Sequence, residues 1–185
     1  MKVIGGAARG RKLKVPKGLA VRPTAARVKE SLFNILQHDF SGLRVLDLFA
    51  GSGNVSIEAL SRGALAAVLV DESARTAAVI RDNLMKLDLS SRAQVWIAPV
   101  RRSLRKLDKA GEKFDLIFLD PPYEKGLVAT TINDIAKSSL LSPAGVVVVE
   151  HSGRETVKPS YGDLVLNDQR RYGDTCLSFF QVRKS

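Results

Sequence analysis

Short apolar runs alternate with amphipathic stretches along most of this chain. Arg44-Val45-Leu46-Asp47-Leu48-Phe49 reads as a buried strand, and after Ala50-Gly51-Ser52-Gly53 the positions Val55, Ile57, Ala59 and Leu60 mark a helix that stops at Gly63. Ala66 to Val70 repeats the strand pattern, and Ala77, Val79, Ile80, Leu84 and Leu87 give one apolar side to a helix running from Ser73 to about Lys86. Ala93 to Ala98 is a third strand, followed by a helix that carries Arg101, Arg102, Arg105 and Lys106. Phe114 to Leu119 is a fourth, stopped abruptly at Pro121-Pro122 because proline offers a ladder no N–H. Leu127 to Ile135 reads as a helix and Gly145 to Glu150 as a strand buried on both faces. Leu164 to Asn167 and Leu177 to Val182 form an antiparallel closing pair joined through Arg170-Arg171-Tyr172-Gly173-Asp174. Strands alternating with helices through residue 150, then two strands with no helix between them, predict an α/β doubly wound fold. Its sheet would have seven strands, mostly parallel, with an antiparallel edge.

Residues 1–41 follow another pattern. Lys2 to Ile4 and Lys12 to Val15, separated by Gly5-Gly6 and Gly10, predict a small β-hairpin with a longer loop. Thr24 is placed to cap a helix whose apolar face is Val28, Leu32, Phe33, Ile35 and Leu36, with Arg27 and Lys29 turned to solvent. The expected organisation is a basic N-terminal extension, 1–41, packed on a main domain, 42–185.

The formal charge of +10 on 185 residues changes the picture of partners, because much of the excess sits in that extension. It favours nucleic acid over other partner classes, with Arg9, Arg11, Lys12 and Arg22 of the arm and Arg101, Arg102 and Arg105 of the later helix as candidate phosphate contacts. A solvated basic arm that only keeps the protein soluble is the bland alternative. The single cysteine, Cys176, excludes an intrachain disulfide, and with no Cys/His cluster the expectations are a reducing compartment and no metal. No apolar h-region follows Met1 and no apolar run is long enough for a bilayer, so the expected location is cytoplasmic, away from membranes.

Candidate chemistry lies at two strand ends. Asp120-Pro121-Pro122-Tyr123 leaves the fourth strand stiffly, with an acid before the prolines and an aromatic after them. The Asp120 carboxylate and the Pro121 carbonyl can both accept from an exocyclic –NH₂, and Tyr123 offers a π-face to its ring. A strand ending in a Pro-Pro turn with a capping acid is the plain alternative. At the first strand, Gly51 and Gly53 let backbone amides approach a ligand at a helix N-terminus, and Asp71 follows Gly51 by 20 residues, the spacing at which an acid reaches ribose hydroxyls. Ser56 stands where a dinucleotide fingerprint has its third glycine, and no lysine follows to grip a phosphate. Asp47 would repel a pyrophosphate and suits a cofactor with a ribose, a cationic centre and an amino acid tail. A helix-capping role for Asp47 is the alternative. Glu58 and Asn83 read as a solvated helix face and a local cap, Cys176 as core, and His38 and His151 have no assigned role.

Asp47-Leu48-Phe49-Ala50-Gly51-Ser52-Gly53, Asp71 and Asp120-Pro121-Pro122-Tyr123 together resemble the Rossmann-like S-adenosylmethionine-dependent methyltransferases that modify exocyclic amines. Ile4-Gly5-Gly6, Gly10-Arg11-Lys12-Leu13, Arg22-Pro23-Thr24, Arg27-Val28-Lys29-Glu30 and Leu32-Phe33-Asn34-Ile35-Leu36, with Tyr172-Gly173-Asp174-Thr175, narrow the resemblance to the RsmD family. That family methylates guanine in 16S rRNA of the small ribosomal subunit. The resemblance implies S-adenosylmethionine held by Asp47, Phe49, Ala50, Gly51, Ser52, Gly53, Asp71, Glu72, Ala98 and Pro99, with Asp120, Pro121, Pro122 and Tyr123 at the amine. It implies 16S rRNA or an assembling small subunit as partner, and a monomer. Ala98-Pro99-Val100 departs from relatives that place a polar side chain there for adenine, leaving that contact to the backbone, and Asn54-Val55-Ser56 is more polar than usual. A DNA adenine or cytosine amine methyltransferase and a non-catalytic RNA-binding assembly factor are the competing readings.

Overall fold

The computed structural model describes residues 1–16, 23–36, 39–122 and 126–183, with the side chains of residues 23–25 outside that set. Arg22, the Thr24 cap, His38 and Tyr123 of the sequence reading therefore lie outside the described residues. The elements in chain order are α1 (Pro23–Ile35), β1 (Arg44–Leu48), α2 (Asn54–Ser61), β2 (Ala66–Asp71), α3 (Ala74–Lys86), β3 (Ala93–Ile97), α4 (Val100–Lys109), β4 (Phe114–Leu119), α5 (Leu127–Ala136), β5 (Leu141–Ser152), β6 (Ser160–Tyr161), β7 (Leu164–Tyr172) and β8 (Thr175–Val182). They form one sheet in the order β3-β2-β1-β4-β5-β8-β7-β6. β3, β2, β1, β4 and β5 run parallel, and β8, β7 and β6 continue antiparallel beyond β5.

The apolar strand runs bury both faces of the sheet. Val45, Leu69, Leu116, Phe118, Val148 and Phe179 join one core with α1, α2 and α3. Leu46, Leu48, Val70, Ile117, Leu119 and Val149 join the other with α4 and α5. Alternating side chains thus serve two layers of helices, which explains why β1, β2 and β4 are nearly continuous apolar runs. α3 begins as its sequence requires, with Ser73 accepting from the Thr76 N–H at 3.2 Å.

Three expectations change. Among the described residues the sheet has eight strands, because Ser160–Tyr161 adds a two-residue strand against β7. β7 continues to Tyr172 through Asp168-Gln169-Arg170-Arg171, a run too polar to announce a strand, since its register is supplied by the buried β8 beside it. The N-terminal hairpin is reduced to a single antiparallel bridge, Lys2 with Lys12, flanked by Val3 N–H to the Arg11 carbonyl at 3.0 Å and Leu13 N–H to the Met1 carbonyl at 2.9 Å. The Ile4, Gly5, Ala7 and Ala8 N–H groups bond to Glu58 and Ser61 of α2 instead. Val3, Ala8 and Leu13 enter the same core as α1, α2 and α3.

Candidate active site

β1 lies between β2 and β4, with chain connections leaving to opposite faces of the sheet. That is the switch point of a doubly wound sheet, where a crevice opens at the carboxyl ends of the strands. Three acids arrive there from three strands: Asp47 inside β1, Asp71 at the end of β2, and Asp120 just past β4.

The turn after β1 is sharply coiled. Phe49, Gly51 and Gly53 all have positive φ, at 64°, 56° and 74°. For a phenylalanine this is an uncommon, costly conformation, persisting where surrounding structure imposes it. The Phe49 side chain packs on the α4/α5 core, and the Gly53 carbonyl receives the Ile57 N–H at 2.8 Å. A Cβ on Gly53 would lie 3.2–3.3 Å from side-chain carbons of Leu69, Ile57 and Ile80, so crowding adds to the φ that already favours glycine. Nothing in the sequence signals the Phe49 strain, because phenylalanine is not a left-handed former.

Asp47 is 2% exposed and points to the α2 side. Its Oδ2 accepts from Ser56 Oγ at 2.9 Å and from the Ser56 N–H at 3.4 Å. Burial pushes its carboxyl up to about 7; Ser56 pulls it back, and the charges of Asp120 and Asp71 add to the rise. Ser56 is therefore the partner that makes a buried Asp47 tolerable. Asp71 is half-buried; its Oδ2 accepts from the Gly51 N–H at 3.1 Å and its Oδ1 from the Ser73 N–H at 2.8 Å. It thereby ties the glycine turn to β2, and a carboxylate's remaining lone pairs can still accept. Glu72 is exposed, and Ser52 and Ala50 are buried. Ala98 donates its N–H to the Asp71 carbonyl at 3.2 Å, and Pro99 caps α4, so both stand beside Asp71 through the backbone.

Asp120 is exposed, Pro121 buried and Pro122 exposed. The stiff exit from β4 thus keeps a buried proline as anchor and leaves the acid at the rim.

The candidate phosphate contacts do not form one patch. Arg9, Arg11 and Lys12 are exposed on the arm, which docks on α2 and α3, and Arg11 Nη2 donates to the Lys86 carbonyl at 2.8 Å. Arg101, Arg102 and Arg105 are exposed on α4, which packs on the other face of the sheet.

The residues that join the arm to the turn differ from their sequence reading. Glu58 is fully buried, not solvated: it accepts from the Ile4 and Gly5 N–H groups at 2.9 and 2.7 Å and pairs with Arg62 Nε at 2.9 Å and Lys29 Nζ at 3.2 Å. Lys29 is buried, not turned to solvent, and donates to the Lys2 carbonyl at 2.7 Å and to Asn54 Oδ1 at 2.8 Å. Burial pushes its ammonium down, with Glu58 opposing. Asn83 is a buried splint rather than a local cap, bonding the backbone of Lys14 at 2.8 and 2.9 Å and the Ser52 carbonyl at 3.3 Å. The signals were present: Lys29 shares a stripe with Leu32, Phe33 and Leu36, and Glu58 sits inside Ile57-Glu58-Ala59-Leu60. His151 is buried, its ring nitrogens bonded to the Ser152 carbonyl and Ser178 Oγ. Among the described residues no cluster of His, Cys, Asp and Glu could hold a metal, and no helix is long and apolar enough to cross a membrane.

A family described as Conserved hypothetical protein 95 matches residues 1–181. YlbH of Bacillus subtilis is 38% identical over 183 residues, covering 99% of this chain and all of that protein. The ribosomal RNA small subunit methyltransferase D of Escherichia coli is 35% identical over 150 residues, 81% of this chain and 74% of its own length. The solved structure of yhhF from Escherichia coli superposes with a TM-score of 0.85 at 32% identity, covering 100% of this chain and 99% of that one. With its sequence matched nearly end to end and its sheet, glycine turn and Asp120-Pro121-Pro122 exit laid out as described, this chain belongs to the Conserved hypothetical protein 95 family, the RsmD-like proteins.

Proposed function

We propose that this chain is an rRNA methyltransferase that moves a methyl group from S-adenosylmethionine to the exocyclic amine of a guanine in small-subunit (16S) rRNA during ribosome assembly. The observation that carries the reading is the meeting of Asp120 with Asp47 and Asp71 at the crevice beside β1, where Asp120 and Asp71 each bear on the buried Asp47 carboxyl. Kinship with the E. coli small-subunit methyltransferase supports the substrate class.

The crevice fits such a donor on its own chemistry. A glycine turn leads into α2, an acid held by two backbone amides lies where ribose hydroxyls would reach it, and a buried carboxyl stands ready to answer a positive ligand. When bound, the donor supplies an electrophilic methyl carbon on a sulfonium centre. Asp71 would receive the ribose hydroxyls, Asp47 would answer the cationic end directly or through water, and the Ala98-Pro99 backbone would border the adenine.

Guanine's amino lone pair is delocalised into its ring. Accepting its two hydrogens on the Asp120 carboxylate and the Pro121 carbonyl turns that pair out of conjugation and toward the methyl carbon. As the N–C bond forms, the bond from sulfur to the methyl carbon breaks to leave the neutral thioether, and Asp120 or water takes the proton the nitrogen loses. Tyr123 is assigned the stacking face for the base, which must leave its own stack at a cost least for an unpaired nucleotide.

Asp120→Ala is expected to abolish methyl transfer while leaving the dissociation constants for S-adenosylhomocysteine and rRNA unchanged. Transfer of label from methyl-tritiated donor to 16S rRNA, assembling subunits or DNA measures it. Unchanged turnover in the variant removes the role of Asp120; label only in DNA, or none with any acceptor for the wild type, removes the rRNA reading.

A further inference from the structure

We infer that the groove between α4 and the edge strand β3 is a subsite for a single-stranded RNA nucleotide flanking the reacting base, with Trp96 as its stacking face and Arg102 and Lys106 as its phosphate clamp. The inference rests on the rRNA reading above and adds to it a contact that the sequence pattern did not isolate.

The groove has a volume of about 300 Å³ and is lined by Trp96, Ile97, Ala98, Arg102, Ser103 and Lys106. Trp96 is half-buried, and Ile97 beside it is 46% exposed on a strand paired on one side only. Trp96 packs on the α4/α5 core, and Lys106 Nζ stands 4.7 Å from the centroid of its indole, so a base that stacks there displaces Lys106 from the ring toward the nucleotide's phosphate. Arg102 and Lys106 are both exposed, one turn apart on α4, and among the described residues the lining includes no carboxylate. An indole face flanked by uncompensated cations is the combination that binds single-stranded nucleic acid: the ring stacks a base of any identity, and the cations track its backbone.

The opposite flank of α4 is different in kind. There Arg101 and Arg105 share a smaller cavity with Asp108 and Asp134, and Arg101 pairs with Asp134 at 3.4 Å. Among the described residues, the Arg101 flank thus sets carboxylates among its cations, Lys137 included, whereas the Arg102 flank sets an aromatic ring among its own.

The groove starts at Ala98, whose N–H bonds the Asp71 carbonyl, so it opens directly off the proposed cofactor corner. It is a poor place for the cofactor's own adenine. S-adenosylmethionine is cationic and carries no phosphate, and two uncompensated cations would repel it rather than hold it.

Trp96 is the chain's one tryptophan, so its emission reports on this groove alone. In the full-length protein, without donor, single-stranded oligouridylate and 16S rRNA fragments are expected to quench that emission to saturation, whereas S-adenosylhomocysteine leaves it unchanged. Trp96→Leu is expected to raise the RNA dissociation constant about tenfold. Arg102→Gln with Lys106→Gln should lower the slope of log affinity against log salt by about 1.4, the value for two phosphates on a single strand. Affinity for S-adenosylhomocysteine should stay at its wild-type value in each variant, and each should remain folded at the temperature of the titration. Absence of quenching at saturating RNA, or unchanged RNA affinity in both variants, overturns the subsite. Quenching by S-adenosylhomocysteine with loss of its affinity in Trp96→Leu overturns it in favour of an adenine pocket. Because binding is read without turnover, failure of methyl transfer is seen separately.

Discussion

A carboxylic acid buried in a sheet, with a serine as its main partner, has consequences for pH. The Asp47 carboxyl rises from its ordinary value to about 7 because ionising it without solvent is costly, and Asp120 and Asp71 add repulsion. In the unfolded chain it titrates near 3.8. Between these values the folded state holds a proton that the unfolded state has lost, so stability falls as pH rises through that window, by roughly 1.4 kcal/mol per unit at most. Below the unfolded value the contribution is complete, and above about 7 it is gone. Asp47→Asn should flatten this slope, and denaturant midpoints of both proteins taken across the window measure it; parallel curves would mean that Asp47 ionises freely in the fold. A cationic ligand at the same acid favours its charged form, so binding of S-adenosylmethionine is expected to tighten as pH rises toward 7. Asp47 and Asp71 were legible from their places on apolar strands. The Ser56 bond and the Phe49 strain were not, because both depend on how the turn coils in space.

At the scale of elements, β1 to β5 and the helices between them were legible to within a few residues, because strands buried on both faces must be apolar and the helices between them must be striped. β6 and the second half of β7 escaped for other reasons: β6 is only two residues long and is set by its pairing with β7, and the polar second half of β7 takes its register from β8. The N-terminal arm is the clearest case of tertiary structure overriding a local pattern. Gly5-Gly6 suggested a hairpin, whereas Gly6 is glycine because the arm presses on the end of α2. A Cβ there would fall 1.8 Å from the Ser61 carbonyl oxygen, at a φ of +72°. Gly6→Ala should therefore lift the arm, taking from Glu58 the Ile4 and Gly5 amides and exposing Val3, Ala8 and Leu13. The expected loss is on the order of 2–4 kcal/mol of stability. Hydrogen exchange should show the Ile4 and Gly5 amides losing protection while those of β1 and β4 keep theirs. Retained protection at Ile4 and Gly5 would contradict this docking.

Across the described residues, exposed cations stand on both sides of one sheet. The arm, with Arg9, Arg11 and Lys12, lies over α2 and α3, and the cations of α4 lie on the reverse. If both surfaces hold phosphates, Arg9→Gln with Lys12→Gln and Arg102→Gln with Lys106→Gln should each lower the salt slope of rRNA binding, and the combined variant should lower it by the sum. Titrations over a range of potassium chloride concentrations measure the three slopes, and a combined slope no lower than either pair's alone would mean a single contact surface.

That two-sided layout also bears on the shape of what can be gripped. A short linear oligonucleotide occupies one bank of the sheet at a time, and to touch the other it must turn over the rim. A branched or sharply folded RNA offers separate arms to both banks at once. Tight association should therefore track the architecture of the acceptor more than the length of any strand within it.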